Sequence, residues 1–267
     1  MKLSIITVNL NNRDGLKRTI DSVIAQTFTD YEWIVIDGGS TDGSKELIEQ
    51  YQDHFTYWVS EPDKGIYNAM NKGIAHAQGE WLQFLNSGDW LYETTTLEKV
   101  YSKDYGVDVI YGNMSLMNGK KTKIHIYPDE LTFSYFLDHT ICHQATFYKR
   151  QLFIDVKYDE TFKIASDWAM QLQLILQNKR FEHIDKIITF FDGSGIGSQS
   201  NETVFHEKYL ITEKYIPYHL RKDLDYVKKW ELVENRRSFR CLHNVFFYTC
   251  KFLDKPLHKL ELRKRKS

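Results

Sequence analysis

The N-terminal third of the chain repeats one pattern: a short β-branched run, a polar break, then apolar residues at helical spacing. Residues 3–8 (LSIITV) form the first run, which stops in Asn9-Leu10-Asn11-Asn12-Arg13-Asp14-Gly15. Leu16, Ile20, Val23 and Ile24 then share a helix face that closes at Gln26-Thr27-Phe28. Residues 33–36 (WIVI) start a second unit, with the turn Asp37-Gly38-Gly39-Ser40-Thr41-Asp42-Gly43 and a helix opened by Ser44 that turns Leu47 and Ile48 inward. Residues 56–59 supply a third strand. Strands alternating with helices at this spacing require right-handed crossovers and a mostly parallel sheet. An α/β fold of the nucleotide-binding type is the expectation.

Residues 60–91 close that half. Glu61-Pro62-Asp63-Lys64-Gly65 ends a strand, because proline biases its predecessor away from the helical region and glycine permits a sharp turn. A helix is predicted from about Tyr67, with Ile66, Met70, Ile74 and Ala77 at helical spacing and Gly79 near its C-cap. Residues 80–85 (EWLQFL) read as a strand buried on both faces. Asn86-Ser87-Gly88-Asp89 follows at its carboxyl end, where ligands bind in open α/β sheets, so Asp89 is expected as an exposed acid facing a substrate or a metal.

Glycines after a strand also mark dinucleotide folds. Here the pattern is G-G-x-x-x-G after the second strand, and no phosphate-cradling lysine follows. A dehydrogenase and an ATPase are therefore set aside. Asp37 is left either to shape its turn or to accept hydrogen bonds from a base or ribose.

Length and charge set further bounds. A chain of 267 residues can bury a full core, and one α/β domain with a C-terminal extension fits better than two independent domains. The net charge of −1 argues against a general nucleic-acid binder. It conceals an asymmetry, since residues 236–267 hold ten Lys or Arg against two acids, a net +8. Cys142, Cys241 and Cys250 have no metal-ligand spacing and read as free thiols of a reducing cytosol. No signal peptide and no membrane-spanning run is read, so a cytoplasmic protein, soluble or peripheral on the inner face of the cytoplasmic membrane, is expected.

Four ordered motifs carry a resemblance. Ser4-Ile5-Ile6-Thr7-Val8-Asn9, Ser22-Val23-Ile24-Ala25-Gln26-Thr27, Ile36-Asp37-Gly38-Gly39-Ser40-Thr41-Asp42-Gly43-Ser44 and Asp63-Lys64-Gly65-Ile66-Tyr67-Asn68-Ala69-Met70-Asn71-Lys72-Gly73 together resemble glycosyltransferase family 2, over about the first 200 residues. More narrowly, they are similar to non-processive enzymes of bacterial surface-polysaccharide assembly, of the colanic-acid and O-antigen type. The resemblance implies a GT-A fold over 1–200, with a helical C-terminal extension over 201–267. It also implies a nucleotide-sugar donor, Mn2+ or Mg2+, and inversion at the anomeric carbon. The substrate-binding positions it implies are Thr7, Asn9, Asp37, Gly39, Ser40, Asp63, Lys64, Gly65, Asn71, Asn86, Ser87, Gly88 and His143. The family often carries acid pairs where this chain has Asp37-Gly38 and Gly88-Asp89, so Asp89 alone is carried over as metal ligand.

The second half is less regular. Residues 108–112 (DVIYG) read as a strand, Asn118-Gly119 as a hairpin turn and residues 131–137 as a short helix or lid. Residues 141–148 resemble the family's acceptor-side segment, leaving His143 either structural or in contact with donor phosphates or acceptor. Asp167 falls at the start of a helix, where capping alone explains an acid; the resemblance implies the general base. After a strand over 184–191, the Gly/Ser-rich residues 192–201 are a connector or a lid. Residues 205–218 and 226–233 look helical. Phe239, Leu242, Phe246 and Leu253, among Arg236, Arg237, Arg240 and Lys251, suit a basic amphipathic helix on an anionic membrane or one packed on the domain.

The expected activity is transfer of one sugar to a lipid-linked or oligosaccharide acceptor in cell-surface polysaccharide synthesis, with Asp89 on the metal and Asp167 as base. The alternative is a nucleotide-sugar-binding subunit without catalysis, prompted by Gly38 and Gly88.

Overall fold

The computed structural model describes residues 1–119, 121–193 and 202–224. In the N-terminal half the alternation is realised. β1 (Leu3–Asn9), α1 (Arg13–Ile24), β2 (Tyr31–Asp37), α2 (Ser44–Gln50), β3 (Tyr57–Ser60), α3 (Ile66–His76) and β4 (Trp81–Phe84) follow in order. Next come β5 (Trp90–Leu91), α4 (Thr96–Val100), β6 (Val109–Asn118), β7 (Lys121–His125), α5 (Phe133–Asp138), β8 (Thr146–Lys149) and α6 (Leu152–Asp155). The last elements are α7 (Ser166–Leu176), β9 (Phe181–Asp192) and α8 (Glu202–Tyr215).

One sheet runs β3-β2-β1-β4-β8-β6-β9-β5, with β7 added on β6. The β3-β2-β1-β4 portion is parallel throughout. Beyond it the sheet is mixed, for β4–β8, β6–β8, β5–β9 and β6–β7 are antiparallel while β6–β9 is parallel. The β6–β7 hairpin turns at Gly119, whose φ of +61° suits a residue without a side chain. Compact unit one is Met1–Ile211 and unit two begins at Thr212. The first takes in the first turns of α8.

Alternation along β1 puts Leu3 and Ile5 into one core and Ile6 and Val8 into the other. The first core collects Leu16, Ile20 and Val23 of α1; the second collects Met70 and Ile74 of α3. Each aliphatic side chain removed from water contributes about 1.5–3 kcal/mol, which is why unbroken apolar runs settle in strands covered on both faces.

Three local expectations are corrected. Ile24 and Ile66 are 36% and 40% exposed, each sitting one position off the buried stripe of its helix. Gly79 is not a helix cap, since α3 caps at Ala77. It allows close approach instead: a Cβ on residue 79 would stand 2.6 Å from the Ser4 backbone nitrogen. The lid reading of 192–201 apart from 192–193, the helix at 226–233 and the basic tail all lie outside the described residues. Among the described residues no helix is long and apolar enough to cross a membrane.

Candidate active site

The carboxyl ends of β1, β2 and β4 lie side by side. Asn9 pairs with Asp37 at the end of β1 and β2, and beyond β4 the ladder continues as Ser87 N–H donates to Val8 C=O at 3.0 Å. Residues 86–89 are thereby set beside the turn that opens α1. Asn12 joins the two, its side-chain oxygen capping Gly15 N–H at 3.2 Å and its amide donating to Ser87 C=O at 3.0 Å.

Asp37 is completely buried. One oxygen accepts from Asn9 at 2.7 Å and the Ser40 hydroxyl at 2.6 Å; the other accepts from Ser40 N–H at 2.9 Å and the Ser60 hydroxyl at 2.6 Å. Burial pushes its pKa up, but these donors outweigh burial and hold the carboxyl below its ordinary value. Both oxygens are consumed inside the protein, so Asp37 builds the turn. Thr7 is also fully buried, its hydroxyl accepting from the Trp33 indole at 3.0 Å. Asn71 is spent on holding the 158–160 loop, donating to Tyr158 C=O at 2.9 Å and Glu160 at 2.8 Å.

Asp63 supplies the carboxylate that faces outward at this end. One oxygen accepts from Gly65 N–H at 2.8 Å, and the other lies 2.5 Å from where a Cβ on residue 38 would stand. Gly38 is thus required for Asp63 to lean over the end of β2. Gly39, with φ +81°, would bring a Cβ within 3.1 Å of the Pro62 nitrogen, so the 38–40 turn and the 61–65 loop close on one another through glycines. Lys64 is exposed and Gly65 opens α3 with nothing within 4 Å of its Cβ direction.

Asp89 is not the exposed acid expected from the sequence. It is 4% exposed, and its oxygens accept from Asp192 N–H at 2.9 Å and the Gln144 amide at 2.7 Å. Burial, opposed in part by these two donors, raises its pKa to about 7. A hard divalent cation needs several oxygen ligands carrying negative charge. A buried carboxyl with both oxygens engaged does not fit that role. Asp89 is a brace. Near Gly88 the outward carboxylate belongs to Asp192, 3.9 Å from a Cβ on residue 88 and 3.1 Å from Arg18.

Asp167 sits at the second residue of α7 with its side chain 20% exposed. Its Oδ1 accepts from Trp168 N–H at 2.8 Å and the Tyr67 hydroxyl at 3.1 Å; its Oδ2 meets His143 Nδ1 at 3.3 Å. Burial acts to raise its pKa, but His143, Trp168 and Tyr67 prevail and hold Asp167 below the ordinary carboxylate value. Tyr67 is itself pushed well above the usual phenol range, by burial first and the Asp167 charge second, so it remains a donor. The other ring nitrogen of His143 meets the Asn86 amide at 3.1 Å. Asp167, His143 and Asn86 therefore form one chain from α7 to the end of β4, and His143 spends both nitrogens within it.

Tyr67, Gln144 and Asn12 were not singled out by the sequence. Gln144 adjoins His143, and its amide is oriented by Cys142, whose sulfur donates to Gln144 Oε1 at 2.8 Å while burial keeps the thiol protonated. Adjacency to a suspected site residue was the available signal.

These features match known proteins. The profile of the family described as "Glycosyl transferase family 2" matches residues 4–177. The chain belongs to glycosyl transferase family 2. It is 34% identical over 215 residues, 73% of this chain and 77% of the relative, to an uncharacterized glycosyltransferase of Mycobacterium tuberculosis. It is 32% identical over 178 residues, 64% of this chain and 68% of the relative, to a PGL/p-HBAD biosynthesis glycosyltransferase of Mycobacterium bovis. Among solved structures, S. aureus TarS 1–349 in complex with UDP-GlcNAc aligns over 84% of this chain and 70% of that one, with a TM-score of 0.66 and 20% identity. The chain spans 42% of the longer TarS chain. A Pyrobaculum calidifontis mannosyltransferase in complex with GDP-Man and Mn2+ aligns over 84% of this chain and 64% of that one, with a TM-score of 0.58 and 14% identity. The family 2 glycosyltransferase thus has the GT-A type of α/β fold, with its sheet flanked by helices.

Proposed function

We propose that this glycosyltransferase moves one sugar from a nucleotide-diphosphate sugar to a hydroxyl of a lipid-linked or oligosaccharide acceptor, with inversion, in the synthesis of a cell-surface polysaccharide or glycolipid. The observation that carries the reading is the state of Asp167. It is the carboxylate beside the end of β4 that is partly open to solvent and held in its charged form by three donors. A base for a sugar hydroxyl needs that combination of charge, access and fixed aim.

In this reading the acceptor oxygen attacks the anomeric carbon as Asp167 takes its proton. The bond from that carbon to the diphosphate breaks, and its electron pair leaves with the nucleotide. His143 and Tyr67 keep the carboxylate aimed while it gains the proton. Asn9, Ser40, Asp63 and Lys64 border the donor end, where Asp63 is suited to accept from a ribose hydroxyl or base N–H. The Mn2+ or Mg2+ implied by the resemblance has no fitting protein ligand at Asp89, so no step is assigned to it. The PGL/p-HBAD biosynthesis role of the mycobacterial relative and the UDP-GlcNAc complex of TarS support glycan assembly and make UDP the first nucleotide to test. The +8 charge of residues 236–267 and three cysteines without metal-ligand spacing support a cytoplasmic site of action beside an anionic membrane.

Calorimetric titration of UDP, GDP and dTDP, each with and without Mn2+, tests the donor half. Saturable binding of one nucleotide, weakened by Asp63→Ala, is the expected result. No binding of any of them to the folded chain would contradict the reading.

A further inference from the structure

Glu207 of α8 is 6% exposed, yet it is an acid. Its carboxylate accepts from three successive backbone N–H groups: Lys163 at 2.7 Å on one oxygen, and Ile164 and Ala165 at 2.9 and 3.0 Å on the other. A carboxylate removed from water is strongly disfavoured unless charge-assisted hydrogen bonds replace its hydration, and here three do. The three amides lie immediately ahead of α7, whose second residue is Asp167. Ala165, at the N-cap of α7, makes no side-chain capping bond, and its own N–H is served by Glu207 from α8.

Ile164 is held on both sides. Its N–H goes to Glu207, while its carbonyl accepts from the Tyr67 hydroxyl at 2.5 Å, the hydroxyl that also reaches Asp167. Ser166 closes the loop by accepting Asp159 N–H at 2.7 Å. The segment that delivers Asp167 is therefore clamped between α3 and α8, and the α8 half of the clamp is one side chain beyond the region matched by the family profile.

We propose that Glu207 is a positioning residue for sugar transfer, fixing the 163–165 backbone and through it the aim of Asp167 at the acceptor hydroxyl. This rests on the reading of Asp167 as general base. Glu207 touches neither substrate nor the reacting atoms. Its role is to remove the freedom of the loop, which is where a displacement of about 1 Å costs a reacting pair about a hundredfold in rate.

The test uses the full chain with Glu207→Gln, which keeps size but turns an amide N–H toward backbone donors, together with Glu207→Asp and Asp167→Asn. Two readouts are taken: amide hydrogen exchange of the peptide covering 159–170, and turnover of UDP-, GDP- and dTDP-sugars with water as acceptor, resolved into kcat and KM. In Glu207→Gln, exchange over 163–168 should rise about tenfold or more with β1–β4 peptides unchanged, and kcat should fall about tenfold or more at constant KM, with Glu207→Asp between. Unchanged exchange, an unchanged kcat, or kcat and KM moving together would overturn the proposal. If Glu207→Gln loses cooperative unfolding, Glu207→Asp carries the same comparison. If water accepts none of the sugars, the Asp167 titration followed by carboxyl NMR decides: a midpoint raised in the variant supports the clamp and an unmoved one overturns it. Wild-type turnover in Asp167→Asn would instead overturn the base reading, leaving the exchange result to judge Glu207 by itself.

Discussion

Asp89 and Gln144 meet through a 2.7 Å hydrogen bond inside the protein, and that contact turns the acid after β4 into a support for the segment carrying His143. The same carboxylate holds Asp192 N–H, tying the end of β9 to the end of β4. Two sheet ends and the short 143–145 turn are thus fastened through a single side chain.

That brace predicts a pH effect on stability. The folded pKa of Asp89, about 7, lies above the ordinary value, so native protein binds a proton there that unfolded chain releases. Its contribution is fully present below about pH 4 and is lost as pH rises toward 7, at up to about 1.4 kcal/mol per unit. Urea unfolding of wild type and Asp89→Asn at about pH 5 and about pH 8 should show the variant losing this downward slope. Calorimetric affinity for the bound nucleotide should change little, since Asp89 faces protein on both oxygens.

Asp167 has the opposite sign. Its folded pKa is depressed, so the stability it lends is present above the unfolded value and is lost as pH falls through the folded one. Tyr67→Phe removes one donor, and the acid limb of the rate profile should move to higher pH. Loss of a hydrogen bond to a charged group should lower stability by about 1.5–3 kcal/mol, measured by urea unfolding.

His143→Ala strips Asp167 of its Nδ1 partner and leaves the Asn86 amide unpaired. Transfer should fall about ten- to hundredfold, equivalent to about 1.4–2.7 kcal/mol of barrier, with nucleotide affinity kept. A parallel loss of nucleotide binding would instead place His143 on the donor.

Gly79→Ala tests the correction made to the fold. The added methyl would meet the Ser4 nitrogen and hydroxyl at 2.6 Å, and β1 cannot retreat without breaking its ladder. A cost of about 1–3 kcal/mol, seen as a lower Tm, is expected.

The parallel half was legible because each strand is an unbroken apolar run and each helix carries an apolar stripe, signals confined to a few neighbouring residues. The mixed half was less so, because which edge β8 and β9 join depends on partners distant in sequence. At the site, position was readable and orientation was not. Asp37 and Asp89 stand at and just beyond the ends of β2 and β4 and Asn71 lies within α3, but the partners that consume them come from Ser60, Gln144 and the 158–160 loop. Glu207 left no local trace, because α8 is only weakly amphipathic and the amides it serves lie more than forty residues earlier.

The most direct test of the account is a single-turnover comparison of wild type and Asp167→Asn on the donor identified by nucleotide binding. The account predicts that the variant binds nucleotide with wild-type affinity while sugar release falls by about a thousandfold or more. Sugar release at the wild-type rate in Asp167→Asn would contradict it.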